Sequence, residues 1–183
     1  MGQPKDFSVE STHLKHGLSE YNRIFAKVFS RYGKLDYDLF AKRLIFQSDL
    51  KYQVFDPLVT ISQVRQESMR SKTHDLFNDI ALTIESKQAV FSDDFLSFSG
   101  SVKLNSRPSQ YKINSKSSPF PTLVRSNHLK YDVTKHYFVA EGSVEYCRGV
   151  QEVFANKVSG HVDKEDFNFD HGKIVYRRYS RCL

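Results

Sequence analysis

The sequence predicts an all-β protein of repeated short hairpins, because of its aromatic content, its alternating runs and an internal repeat. The 183 residues include 15 Phe and 10 Tyr, and aromatic side chains fit the pleated, half-buried surface of a sheet. A chain of this length supports one domain with a real hydrophobic core. We therefore predict a single domain over residues 1–183.

Short runs of alternating apolar and polar residues locate the strands. Such alternation is typical of a strand with one buried face. The clearest runs are Leu82–Ser86, Phe95–Ser99, Val102–Leu104, Tyr137–Glu141 and Val144–Tyr146. Turn-forming residues separate them, as at Asp132–Lys135. This spacing favours a sandwich, a barrel or a stacked β-architecture.

An internal repeat relates Ile84–Leu104 to Val124–Tyr146. Each copy consists of a strand, a turn, a strand, a glycine and a further strand. The first halves are offset by 40 residues and the second halves by 42. The difference falls in the turn, where an insertion is tolerated. Each copy contains Gly-Ser-Val, starting at Gly100 and at Gly142, and a glycine there favours a bulge or a corner.

Two segments depart from this pattern. Leu18, Tyr21, Phe25 and Val28 fall at helical spacing, so a short helix over 19–32 is an alternative. The strict alternation that follows over 34–39 favours strands for this region. Residues 105–122 are rich in Ser, Lys and Pro, and we predict a long loop inserted between the two repeats.

The net charge of +6 favours an anionic partner such as nucleic acid, a membrane surface or a phosphorylated ligand. The sequence lacks a recognised aromatic-plus-glycine nucleic-acid motif, so we expect no nucleic-acid partner. It also lacks the roughly 18 consecutive apolar residues of a membrane-spanning helix. Residues 1–10 contain no apolar signal-peptide core. The protein is therefore either cytosolic or exported with its signal missing from this chain.

The sequence shows no catalytic constellation and no zinc-ligand spacing, so we predict no enzyme activity, no cofactor and no metal. Asp93-Asp94 is interpreted as turn chemistry, and Glu165-Asp166 with Asp170 as loop charge. The two cysteines, Cys147 and Cys182, are equally consistent with one disulfide and with two buried thiols.

The residues around the two glycines carry a family resemblance. A small residue and an apolar-aromatic group, as in Ala89–Ser92 and His128–Asp132, precede an alternating run into Gly-x-Val. Phe154–Val158 resembles the rung that follows. Over 82–162, and more weakly over 7–61, the chain resembles the OstA-like proteins of periplasmic lipopolysaccharide transport.

The resemblance implies a folded-over, V-shaped β-jelly roll whose apolar inner face holds the acyl chains of lipopolysaccharide. It also implies partners: lipid A itself, and other transport proteins joined end to end by strand pairing, with a homo-oligomer as one form. The implied location is the periplasm, with the export signal or anchor absent from this chain. A membrane-anchored component of the same exporter and a polymerising β-solenoid scaffold without lipid are the alternatives.

Candidate binding residues follow from strand alternation, although each of them is individually more typical of a closed core without ligand. The predicted inner wall comprises Ile84, Val90, Leu96, Phe98, Val102, Leu104, Leu129, Tyr131, Phe138, Ala140, Val144 and Tyr146. For the head-group phosphates the candidates are Lys42, Arg43, Lys103, Lys130 and Arg148, with the pair Arg177-Arg178.

Overall fold

The computed structural model describes residues 7–15, 18–29, 35–47, 51–63, 80–92, 95–108, 121–161 and 166–176. All regular secondary structure within these ranges is β-strand, which confirms the predicted all-β fold. The strands are β1 Phe7–Lys15, β2 Leu18–Phe29, β3 Leu35–Gln47, β4 Lys51–Phe55, β5 Leu58–Gln63, β6 Ile80–Glu85, β7 Gln88–Phe91, β8 Phe95–Pro108, β9 Thr122–Asp132, β10 Tyr137–Arg148, β11 Gln151–His161, β12 Asp166–Asp170 and β13 Lys173–Tyr176.

The strands form one antiparallel sheet in the order β1-β2-β3-β4-β7-β8-β9-β10-β11-β12. Three pairs of short strands lie end to end beside a long one: β4 and β5 beside β3, β7 and β6 beside β8, and β12 and β13 beside β11. Each long strand therefore crosses from one half of the sheet to the other. We call the half containing β4, β7 and β12 wall A, and the half containing β5, β6 and β13 wall B.

Bulges at the two repeated glycines bend the long strands between the walls. From the pair Ser99–His128 to the pair Val102–Ser126, β8 advances three residues while β9 advances two. Gly100 absorbs the extra residue with a φ of 76°, a conformation that disfavours side chains with a Cβ. A Cβ there would also lie 3.1 Å from that of Lys87. The extra residue kinks the strand, as expected of a β-bulge.

This bend between the walls, which we call the corner, recurs at every second strand position of the sheet. Gly142 repeats the geometry of Gly100 in β10, with a φ of 78°. Positive φ values also occur at Arg23 in β2, at Asp56 between β4 and β5, and at His171 between β12 and β13. A line of residues in the left-handed backbone conformation therefore marks the bend between the two walls.

The inner face of the sheet is buried against itself. Alternate residues of both walls belong to one apolar cluster, among them Ile24, Val54, Ile84, Leu104 and Val158, which have no exposed surface. The described residues form no second layer, and a sheet must bury its apolar face against another surface. The sheet therefore folds over its own inner face, and this arrangement is compatible with a jelly-roll-like β fold.

Two local predictions are settled by the strand boundaries. Residues 19–29 of the segment with helical spacing lie in strand β2, and residues 30–32 lie outside the described ranges. The corner at Arg23 moves the inward position from Tyr21 to Ile24, and this step of three residues resembles helical spacing. The predicted loop over 105–122 is too long, since β8 continues to Pro108 and β9 begins at Thr122. Residues 109–120 of that loop lie outside the described ranges.

Candidate functional site

An aromatic row runs across the inner face of wall A. Its members are cross-strand partners, and such neighbours on one face have Cβ atoms about 5 Å apart. In sheet order the row consists of Phe46, Tyr52, Phe91, Leu96, Tyr131, Phe138, Gly160 and Phe167. Wall A therefore presents a continuous apolar and aromatic surface across most of the sheet.

The predicted inner-wall residues are buried in the apolar cluster with one exception. Val90 is 40% exposed, whereas its neighbours Ala89 and Phe91 are buried. The prediction for Val90 is wrong because it assumed that alternation continues unbroken from Ile84, which would place both side chains on the same face. Between them the chain passes from wall B to wall A, and the inward phase shifts by one residue.

Near the middle of the sheet, a ring contact joins the two walls. Tyr37 lies in the wall B half of β3, next to the pair Asp38–Thr60, and Phe91 lies in wall A. Their ring centroids are 6.0 Å apart and edge to face, a favourable geometry for aromatic pairs. Both residues are buried. The walls therefore touch here, and the inner face forms a closed core.

At the carboxyl-terminal end, a second ring contact joins the walls. Tyr146 of wall B lies 5.2 Å from Phe167 and 5.1 Å from Phe169, both in β12 of wall A. Phe138 packs 6.1 Å from Phe167 across Gly160. A Cβ on Gly160 would collide with the backbone next to Phe167, so the glycine makes room for the neighbouring strand.

These bridging rings were missing from the candidate residues. Tyr37, Phe91, Phe167 and Phe169 carry alternating sequence signals, but their partners across the cleft depend on where each corner falls. Asp166 and Asp170, interpreted as loop charges, in fact bound the strand β12. The alternation Phe167-Asn168-Phe169 between them was the signal for that strand.

The head-group candidates are not brought together by the fold. Lys42 lies at the corner and pairs with Asp56 at 3.1 Å. Arg43 lies 3.6 Å from Glu20 and its guanidinium lies over the ring of Phe55. Both are therefore engaged with groups of the same corner region.

The remaining head-group candidates lie on different faces. Lys103 alternates with inward Val102 and Leu104, so it projects from the outer face of wall B. Lys130 lies 3.8 Å from the centre of the Phe95 ring. Arg148 shares the inward parity of Tyr146 and is half-buried at the end of β10. Arg177 and Arg178 lie outside the described residues.

Two exposed carboxylates have lowered pKa values. Glu141 pairs with Lys157 at 2.8 Å across β10 and β11, and the hydrogen bond from Lys157 lowers its pKa. Asp166 accepts the backbone N–H of His161 at 2.8 Å, which lowers the pKa of Asp166. The second contact fastens β12 to β11 at the edge of the sheet.

Cys147 is disulfide-bonded. It is buried with its cross-strand partner Leu123 on the outer face of wall B. The other cysteine of the sequence, Cys182, lies outside the described residues. Disulfides persist in oxidising compartments such as the periplasm and the extracellular space.

Within the described ranges, no helix is long and apolar enough to cross a membrane. The same residues contain no group of three or more His, Cys, Asp or Glu placed to hold a metal ion. No protein-family model and no curated protein matches the chain. The resemblance to the OstA-like family therefore rests on the residues that carry it.

Proposed function

We propose that this protein binds the acyl chains of lipopolysaccharide between its two walls and passes the lipid across the periplasm toward the outer membrane. The observation that supports this proposal is the folded-over single sheet with a continuous apolar inner face. Burying a methylene group is favourable by about 0.8 kcal/mol, so a lipid with several acyl chains binds such a surface without covalent attachment. The OstA-like resemblance supplies the identity of the lipid.

Entry of acyl chains requires the walls to part. The carboxyl-terminal ring contact is the favoured point, because Phe169 is 37% exposed and β12 pairs only with β11 among the described strands. An acyl chain that replaces the Tyr146–Phe169 contact would remain surrounded by apolar groups. The disulfide at Cys147 fits a periplasmic location.

End-to-end assembly with other transport proteins, or with further copies of this chain, is part of the proposal. Among the described strands, β1 pairs only with β2, and β12 only with β11, so a further strand from another chain would add at these two strands. Free edges accept a further strand from another chain.

Photo-crosslinking in a Gram-negative envelope tests the proposal. A photoreactive phenylalanine analogue is placed at Phe169, on the inner face, and at Phe154, on the outer face. Their exposed fractions are 37% and 41%, so accessibility is matched. We expect adducts with lipopolysaccharide at Phe169 and none at Phe154.

The competing function is a β-scaffold without lipid, favoured by the closed ring contacts between the walls. Protein–protein adducts at Phe169, with no lipid adduct there or at Phe98 and Phe138, would contradict the lipid-binding proposal. Equal lipid labelling at Phe154 would show nonspecific adsorption and would also count against it.

A further inference from the structure

The inner positions of wall B farthest from the corner form a second cross-strand row, which we call the mouth row. Its described members, in sheet order, are Val28, Tyr37, Ile61, Leu82, Ser106, Thr122, Arg148, Gln151 and Tyr176. Tyr176 is 74% exposed, and each of the other side chains shares the parity of a buried inner residue beside it.

The mouth row changes polarity halfway along the sheet. Ile61 and Leu82 are apolar and fully buried. Ser106 and Thr122 follow at the next two strands and are only 7% and 6% exposed. Hydroxyl groups are unfavourable in such a position unless a polar partner reaches them. The mouth row is therefore apolar at β5 and β6 and polar at β8 and β9.

An apolar row lies beside the polar part of the mouth row. The inner row one step closer to the corner remains apolar at the same strands, with Leu104, Val124 and Val153 fully buried. The polar segment thus borders an apolar floor. A ligand that fits both is amphipathic, with its apolar part inside and its polar part at the rim.

Arg148 supplies the only charge among the described members of the mouth row. It lies directly opposite Thr122 on β9 and Gln151 on β11. The tight turn at Gly149, with a φ of 58°, holds β10 and β11 in this register. Guanidinium groups bind phosphate through paired hydrogen bonds, and neighbouring hydroxyl and amide groups extend such a site.

We propose that Ser106, Thr122, Arg148 and Gln151 bind a phosphate of the lipid head group, which orients the lipid along the cleft. This inference rests on the proposed function. The head group lies at the rim of β8–β11, and the acyl chains extend inward over the apolar floor of Leu104, Val124 and Val153. This direction leads toward the Tyr146–Phe169 contact, where the walls part.

Calorimetric titration of the full chain with detergent-dispersed lipid A tests the inference. The titrants are diphosphorylated lipid A, its dephosphorylated form and inorganic phosphate. We expect Arg148→Gln to weaken binding of the diphosphorylated lipid by about ten- to a hundredfold. The dephosphorylated lipid should bind wild type and variant equally, and inorganic phosphate alone should not bind measurably.

Two further variants test whether the effect is specific to the mouth row. Arg125→Gln removes an arginine from the outer face of the same wall, where it pairs with Glu145 at 3.0 Å, and should leave both lipid affinities unchanged. Thr122→Val removes only the hydroxyl and should weaken the diphosphorylated lipid selectively, with unfolding temperature as the check on folding.

Each other result overturns the inference. Equal losses for both lipids would assign Arg148 to folding or to the apolar cleft. A wild type that binds both lipids equally would retain the lipid-binding function without a phosphate site. A loss confined to inorganic phosphate would identify a free-phosphate site, and absence of any lipid binding would remove the proposed function with the inference.

Discussion

The two ring contacts that join the walls differ in their surroundings. Tyr37 and Phe91 are 8% and 4% exposed, and the strand of Phe91 is flanked by β4 and β8. Tyr146 is equally buried, but its partner Phe169 lies on β12, whose only described neighbour is β11. The same type of contact therefore lies within a strand-flanked core in the middle of the sheet, whereas at the end of the sheet it is held by a strand with one described neighbour.

This difference shows how one fold combines stability with access. Interior strands pair with a neighbour on both sides, so separating the walls there disrupts many contacts. A terminal rung opens at lower free energy because only one neighbour holds it, and local opening concentrates in such elements. We therefore expect the walls to separate first at Phe169.

The largest expected effect is that of Phe91→Ala. Removing a buried phenylalanine leaves a cavity and lowers the free energy of unfolding by about 3–5 kcal/mol. Chemical denaturation measures the loss. Val90→Ala, one residue away on the outer face, is the control and should change stability by less than about 1 kcal/mol. Equal effects of the two substitutions would contradict the assignment of the inner face.

A smaller effect is expected for Phe169→Ala. The half-exposed ring contributes little burial, so the loss in unfolding free energy should be about 1 kcal/mol. Hydrogen exchange should accelerate in β12 and remain unchanged in β7. Phe154→Ala on the outer face serves as control. If β7 exchanged faster as well, the two ring contacts would belong to one cooperative unit and the contrast between them would fail.

The smallest expected effect is a pH-dependent loosening of β12. Because the pKa of Asp166 is lowered by the hydrogen bond from His161, its carboxylate stabilises the folded edge fully above the ordinary aspartate pKa of about 3.9. That stabilisation is lost as the pH falls through the lowered pKa. Protection factors of β12 amides should therefore stay constant down to a pH of about 4 and fall below it, while those of β7 do not change.

Asp166→Asn provides the matching variant. It should reduce β12 protection slightly at pH 6, and its difference from wild type should vanish once the pH lies below the lowered pKa of Asp166, where the wild-type carboxyl is protonated. A difference that persists below that pKa would show that the contact between Asp166 and His161 acts through geometry rather than charge.

Much of the fold was predictable from local patterns. The alternating runs at Phe95–Ser99 and Tyr137–Glu141 lie in β8 and β10, and the repeated glycines mark real bulges. The prediction failed where it continued the same alternation of inward and outward residues through a corner, as at Val90. It also failed at the predicted loop start, where polar residues after Leu104 still pair with β6.

The candidate site was predictable only in part. Alternation identified inward residues such as Phe98 and Phe138, which are buried. It could not pair Tyr37 with Phe91, because that contact joins different walls of the folded sheet. Nor could it distinguish Arg148 from Lys130, since both are basic residues near the repeat and only their faces differ.

The sequence by itself determined the all-β character, the strand positions in the repeats and the glycine corners. These features depend on residues close together in the chain, through side-chain alternation and backbone conformation. The tertiary structure decided which wall each half-strand joins, which rings meet across the cleft and where the mouth row becomes polar. Those properties depend on the cumulative register of all the strands, and each bulge shifts that register by one residue.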